Sequence, residues 1–290
     1  MSVTGKLAAF VAALAVLFGA AALAGAAIGP DRDVVASTEP EEHSDMTSST
    51  ETHEETGAAH PVRGLAIAED GLRVVVADPE LRRGREETLR FRIVGEDAET
   101  VRDFDVEHEK RMHLIVARRD LTGFQHLHPE QTPDGTWSTD VRLDDAGSYR
   151  LFADFSREGE NQTLAADLRV DGAADLRPLP NPEPTAVSDG GYDVRLDAGD
   201  AHPGQEADLR FTITRDGVPV QTEPYLGAGG HLVALRDGDM AFLHVHPTSD
   251  DAVRFAATFP TEGRYRLFLQ FKTSDPPTRV QTVAFTQEVS

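Results

Sequence analysis

Cysteine is absent from this 290-residue chain. Disulfides, thiolate metal sites, a cysteine nucleophile and a lipidated N-terminal cysteine are therefore excluded. Basic residues are scarce: 28 Lys and Arg stand against 50 Asp and Glu, a formal net charge of −22. That is the wrong sign for a nucleic-acid partner, whose phosphates need a basic surface. It fits a cation-binding protein, although acidic surfaces also arise for solubility alone. Helical periodicity is missing beyond the first thirty residues. So are a Gly-rich phosphate loop, a Gly-x-Ser-x-Gly elbow and a His-Glu-x-x-His pair. Acidic residues are too numerous for any two to stand out as acid and base, and the expectation is a protein that is not an enzyme.

One long apolar run is present, Leu7 to Ile28, preceded by Lys6. A basic start and an apolar stretch make an export signal, and Ala22-Leu23-Ala24 offers a small-residue cleavage site. The run is also long enough to span a bilayer as a helix. Residues 1–30 are thus read as a signal peptide or an N-terminal membrane anchor, and both place the remainder outside the cytoplasm. Residues 31–63 are acidic and poor in apolar residues, and are expected to be a disordered linker. His43, Met46, His53 and His60 are scattered through it.

The rest reads as an all-β pair of tandem immunoglobulin-like sandwiches, residues 64–171 and 191–290. Glu87 to Val94 alternates apolar and polar residues, as a half-buried strand does. Short strand-like segments separated by turn residues continue through both halves. Between them, residues 172–190 carry Pro178, Pro180, Pro182 and Pro184, an extended spacer expected to hold the domains apart. The second half repeats the first: Asp208 to Ile213 matches Thr88 to Ile93, and Gly263 to Phe268 matches Gly147 to Phe152. The shared Gly-x-Tyr-x-Leu-Phe places Tyr149 and Tyr265 at a tyrosine corner, a structural role.

Chemistry concentrates in one repeated stretch. His113, Phe124, His126, His128 and Pro129 recur as His231, Phe242, His244, His246 and Pro247, an offset of 118 (231 − 113). Each copy is read as a β-hairpin. In the second, Asp237-Gly238 is a favourable two-residue turn. It would set His231 opposite His244, with His246 on the same face. In the first, the equivalent turn is Arg119-Asp120. The competing loop Leu121-Thr122-Gly123 would turn His113 to the other face unless a bulge corrects it. The common 13-residue spacing (126 − 113, 244 − 231) favours the shared register.

Three neutral imidazoles on one face suit a copper or zinc ion. The expected ligands are His113, His126 and His128 in one site and His231, His244 and His246 in a second. Met112, His108 and Met240 are not counted as core ligands. The alternative is an envelope scaffold whose histidines are packing residues.

The segments His113-Leu-Ile-Val to Phe124-Gln-His-Leu-His-Pro129, Gly147 to Phe155 and Pro224 to Pro247 resemble exported bacterial proteins with YtkA-like, immunoglobulin-like sandwich domains. The resemblance spans both globular halves. It implies extracytoplasmic heavy-metal or copper handling, with the same six histidines as the positions carried over. Gly229-Gly230 departs from the pattern where a Met is expected before His231, so no thioether ligand is implied at the second site. The function expected is metal buffering or delivery, with copper favoured over zinc. The metal ion is the expected partner, joined by the membrane if the N-terminal segment is retained; no protein partner is specified.

Overall fold

The computed structural model describes residues 62–243, 245–249, 252–274 and 279–290. The apolar N-terminal segment, the acidic linker up to residue 61 and His244 lie outside the described residues. What is described is all-β, with two tandem immunoglobulin-like sandwiches.

In the first sandwich, one sheet runs Ala68–Glu69, Leu72–Val76, Glu86–Val94, Trp137–Arg142, Glu130–Gln131 in spatial order. Alternation in Glu86–Val94 sends Leu89, Phe91 and Ile93 inward and leaves the residues between them outside. The facing sheet runs Glu80–Leu81, Glu160–Val170, Gly147–Arg157, His113–Arg118, Gln125–Leu127. All pairings in it are antiparallel except that of Glu80–Leu81, which runs parallel to Glu160–Val170. The second sandwich repeats the plan. Thr185–Val187, Asp193–Asp197, Glu206–Arg215, Arg254–Thr258 and His246–Pro247 form one sheet. In the other, Gln281–Val289, Gly263–Thr273, His231–Arg236 and Phe242–Leu243 lie side by side. Both tyrosine corners form: Tyr149 Oη donates to the Asp145 carbonyl at 2.8 Å and Tyr265 Oη to the Thr261 carbonyl at 3.0 Å.

The two histidine-bearing sheets are buried on both faces. Along His113–Arg118, Leu114 and Val116 enter the core of their own sandwich, whereas Ile115 and Ala117 enter a third apolar layer. Leu232 and Ala234 likewise enter their own core, and Val233 and Leu235 join that third layer. Leu121, Phe152, Ala165, Met240, Phe242 and Phe268 are its other buried residues. Phe124 stacks on Phe268 with ring centres 4.1 Å apart, a contact worth about 0.5–1.5 kcal/mol beyond area burial. The sandwiches therefore dock sheet against sheet.

This corrects the expectation that the proline-rich segment holds them apart. The segment is extended, but it runs along the interface. Leu179 packs on the third layer, the Arg177 N–H donates to Asp120 Oδ2 at 2.8 Å, and Arg118 reaches the Asp175 carbonyl at 3.2 Å. Alternate proline fixes the conformation of the spacer, but the apolar outer faces of the two sheets decide where the domains go.

Candidate metal centre

The hairpin turns are wider than the two-residue loops expected. Ile115 pairs with His126, and Ala234 with Leu243, so each register is two residues from the one the sequence favours. An aspartate organises each turn. In the first, Asp120 takes the Arg118 guanidinium at 2.6 Å and the Thr122 hydroxyl at 2.7 Å, and Leu121 adopts φ 60°. In the second, Asp239 holds Arg236 and accepts the Ala241 N–H at 3.0 Å, with Met240 at φ 63°. The carboxylates bind backbone and guanidinium inside the loop, which outweighs the intrinsic preference of Asp-Gly for a tight turn. A slip of two residues preserves the face of every side chain. His113, His126 and His128 therefore still share one side, the side that looks towards the second sandwich.

Those three converge. One ring nitrogen from each lies within 4.8 Å of the other two. His113 Nδ1 and His126 Nε2 are 3.0 Å apart. His113 Nε2 donates to the Glu107 carbonyl at 3.1 Å, and His126 Nδ1 donates to Gln270 Oε1 at 2.7 Å. Gln270 is oriented in turn, since its amide nitrogen reaches Thr282 Oγ1 at 3.4 Å. Both acceptors are oxygens, so each ring carries its proton on the outward nitrogen. The two inward nitrogens then meet lone pair to lone pair. His128 Nε2 is also buried and makes no hydrogen bond.

A proton could relieve the clash only by making an imidazolium, which burial opposes. Burial, then the neighbouring rings of His113 and His128, pushes His126 down to about 3. Burial, then His113 and Lys110, pushes His128 down to about 4. Burial also lowers His113, against the pull of the Glu107 carbonyl. The trio is thus held neutral at ordinary pH, the state a metal ion needs. A tetrahedral ion with bonds of about 2.0–2.1 Å sets its donors roughly 3.3 Å apart, close to the 3.0 Å between His113 Nδ1 and His126 Nε2.

Of the second set, the two described histidines stand apart, and His244 lies outside the described residues. His231, at the position equivalent to His113, lies beside the first trio: its ring centre is 5.5 Å from His113 and 4.7 Å from His126, stacked on both. His246 leaves the hairpin for the opposite sheet, where it is exposed and pairs with Ala256. The strand Phe242–Leu243 is too short to carry it alongside His231. Among the described residues the one group of three or more candidate ligands is His113, His126 and His128.

Three neighbours of the trio were not among the expected ligands: His108 was set aside, and Asp154 and Gln270 were not singled out. His108, at φ 46° in a tight turn, lies 6.1 Å from His113 and 5.9 Å from His231 by ring centres. Asp154, buried and accepting from Thr163 Oγ1 at 2.6 Å, pairs across the sheet with His113. Gln270 occupies the same place opposite His231. The signal was a polar residue at matching positions in two otherwise apolar stretches, residues 151–155 and 267–271. Met112 faces the core of the first sandwich and Met240 the layer between domains.

No curated protein matches the chain. Similar solved structures include an alpha-2-macroglobulin from Salmonella, 16% identical over 79% of this chain and 15% of that one, at a TM-score of 0.28. The Escherichia coli adhesin FdeC is 12% identical over 78% of this chain and 66% of its own, at 0.27. The Yersinia pseudotuberculosis adhesin InvE is 12% identical over 74% and 58%, at 0.25. The chain spans only about 15% of the macroglobulin, and at TM-scores this low the likenesses say nothing about function. A family model matches residues 66–172 and again 185–290, so the chain belongs, in two copies, to the family described as Domain of unknown function (DUF8832).

Proposed function

We propose that this is an extracytoplasmic, non-enzymatic metal-binding protein that holds one divalent copper or zinc ion at His113, His126 and His128. The observation that carries the reading is the pair of inward lone pairs on His113 and His126, 3.0 Å apart, beside the orphaned Nε2 of His128. A cation satisfies all three at once. Packing alone accounts for the outward nitrogens of His113 and His126 and leaves the inward ones opposed. An all-nitrogen donor set suits Cu²⁺ and Zn²⁺, with Cu²⁺ the tighter by the usual order of divalent affinities.

Three protein donors leave coordination open, which serves exchange with a carrier or acceptor and so buffering or delivery. The basic start and apolar run at residues 6–28 support a place outside the cytoplasm. The test is competition titration of metal-free protein with Cu²⁺ and Zn²⁺ against a chelator of known affinity. Micromolar or tighter binding of one ion per chain, lost in the His126→Ala and His128→Ala variants, is the expected result. Binding that survives both substitutions together would rule the site out.

A further inference from the structure

We propose that the second sandwich is a working part of this site, so that metal capture and docking of the two sandwiches form one linked equilibrium. The inference rests on the metal reading above and adds a regulation to it. All three donors belong to the first domain, yet their protonation pattern does not. His126 keeps its proton on Nδ1 because Gln270 Oε1, from the second domain, accepts it at 2.7 Å. Undocking removes that acceptor. The His126 ring is then free to take the other tautomer, with its proton on the nitrogen that faces His113. His231 acts from the same side. Its ring lies nearly parallel to that of His113, with 8° between planes, and covers both His113 and His126.

These contacts continue directly into the apolar layer of Ile115, Val233, Leu235, Phe152 and Phe268. At the far end, Arg119 donates to the Gly238 carbonyl at 2.7 Å and Arg150 to the Asp239 carbonyl at 3.2 Å. The site is thus one rim of the docking face. Whatever docking contributes to metal affinity, metal must return to docking by the same factor. Gln270 is a positioning residue here: it acts through His126. A carboxylate is a common partner of a metal-bound imidazole, and loss of such a partner typically weakens binding 10- to 100-fold.

The experiment is chelator competition on the full chain with Cu²⁺ as probe, comparing the wild type with Gln270→Leu, Gln270→Glu and Leu235→Arg. Leu235 is not one of the ligands and is fully buried in the docking layer. Affinity should fall about 10- to 100-fold in Gln270→Leu, and return to within a few-fold in Gln270→Glu, which restores an acceptor. Leu235→Arg should also bind at least ten-fold more weakly. Should that variant not fold, the two Gln270 variants decide the question.

Wild-type binding that is unchanged in Gln270→Leu overturns the proposal while leaving the metal site standing. Equal losses in Gln270→Leu and Gln270→Glu would make Gln270 a packing residue and overturn it too, as would undiminished binding in a folded Leu235→Arg. Failure of the wild type to bind overturns the metal reading itself, and this inference with it.

Discussion

The two histidine hairpins carry nearly the same letters and end up doing different things. In the first, the return strand Gln125–Leu127 stays paired with His113–Arg118, and the chain keeps His126 and His128 on the docking side. In the second, pairing lasts only through Phe242–Leu243, and the strand crosses to the opposite sheet with His246. The lesson is that a duplicated motif duplicates residues, whereas a site depends on how long each strand stays in its sheet. The second copy's contribution is different in kind: His231 lies over the first copy's rings, and Gln270 supplies a hydrogen-bond acceptor.

Several measurements would break or sharpen that contrast. The largest effect is expected in metal binding. His126→Ala should weaken Cu²⁺ by about a hundred-fold or more, because losing a donor costs at least as much as losing its outer partner. His246→Ala should leave it unchanged. Equal losses in the two variants, read by the same competition titration, would mean that both copies bind.

Next comes the docking layer. Phe152→Ala removes a side chain that is fully buried between the domains and should cost about 3–5 kcal/mol in urea unfolding. A value near zero would mean that the two outer faces do not meet.

The pH dependence of the metal-free protein separates the copies as well. His126 and His128 sit at about 3 and about 4 in the folded state, against an ordinary 6.5. Between those limits the unfolded chain binds protons that the folded rings refuse. Stability is therefore full above about pH 6.5 and falls as the pH drops towards 3. Urea midpoints taken from pH 7.5 to 4.5 should show this slope. His126→Gln should flatten it, and His246→Gln should not.

The smallest effect is expected where the copies truly agree. Tyr149→Phe and Tyr265→Phe each remove the corner hydrogen bond to a carbonyl, Tyr265→Phe also a longer one with Thr261 Oγ1 at 3.2 Å, and each should cost about 1 kcal/mol. A loss at Tyr149 clearly larger than at Tyr265 would show that the corners are not equivalent either.

Much of the fold was legible. Period-two alternation in Glu86–Val94 and the two tyrosine corners each reflect short-range rules, and each is found in place. The face shared by His113, His126 and His128 was legible too, because strand parity survives a two-residue slip. The exact register was not. Asp120 and Asp239 act through side-chain bonds that close only once the turn exists. Ile115, Ala117, Val233 and Leu235 complete unbroken apolar runs, 114–117 and 232–235, which suit a strand covered on both faces, but the runs do not say what covers the outer face.

The order of residues alone determined that this protein is a doubled β-sandwich with paired imidazoles along one strand edge, because strand period and turn chemistry operate over a few neighbours. Only the packed molecule decided that His113, His126 and His128 converge while His231 and His246 part, that a glutamine 144 positions away from His126 sets that ring's proton, and that the domains close on each other. Those outcomes depend on which surfaces meet across long separations, and burial of apolar area between distant segments is settled by the whole chain at once.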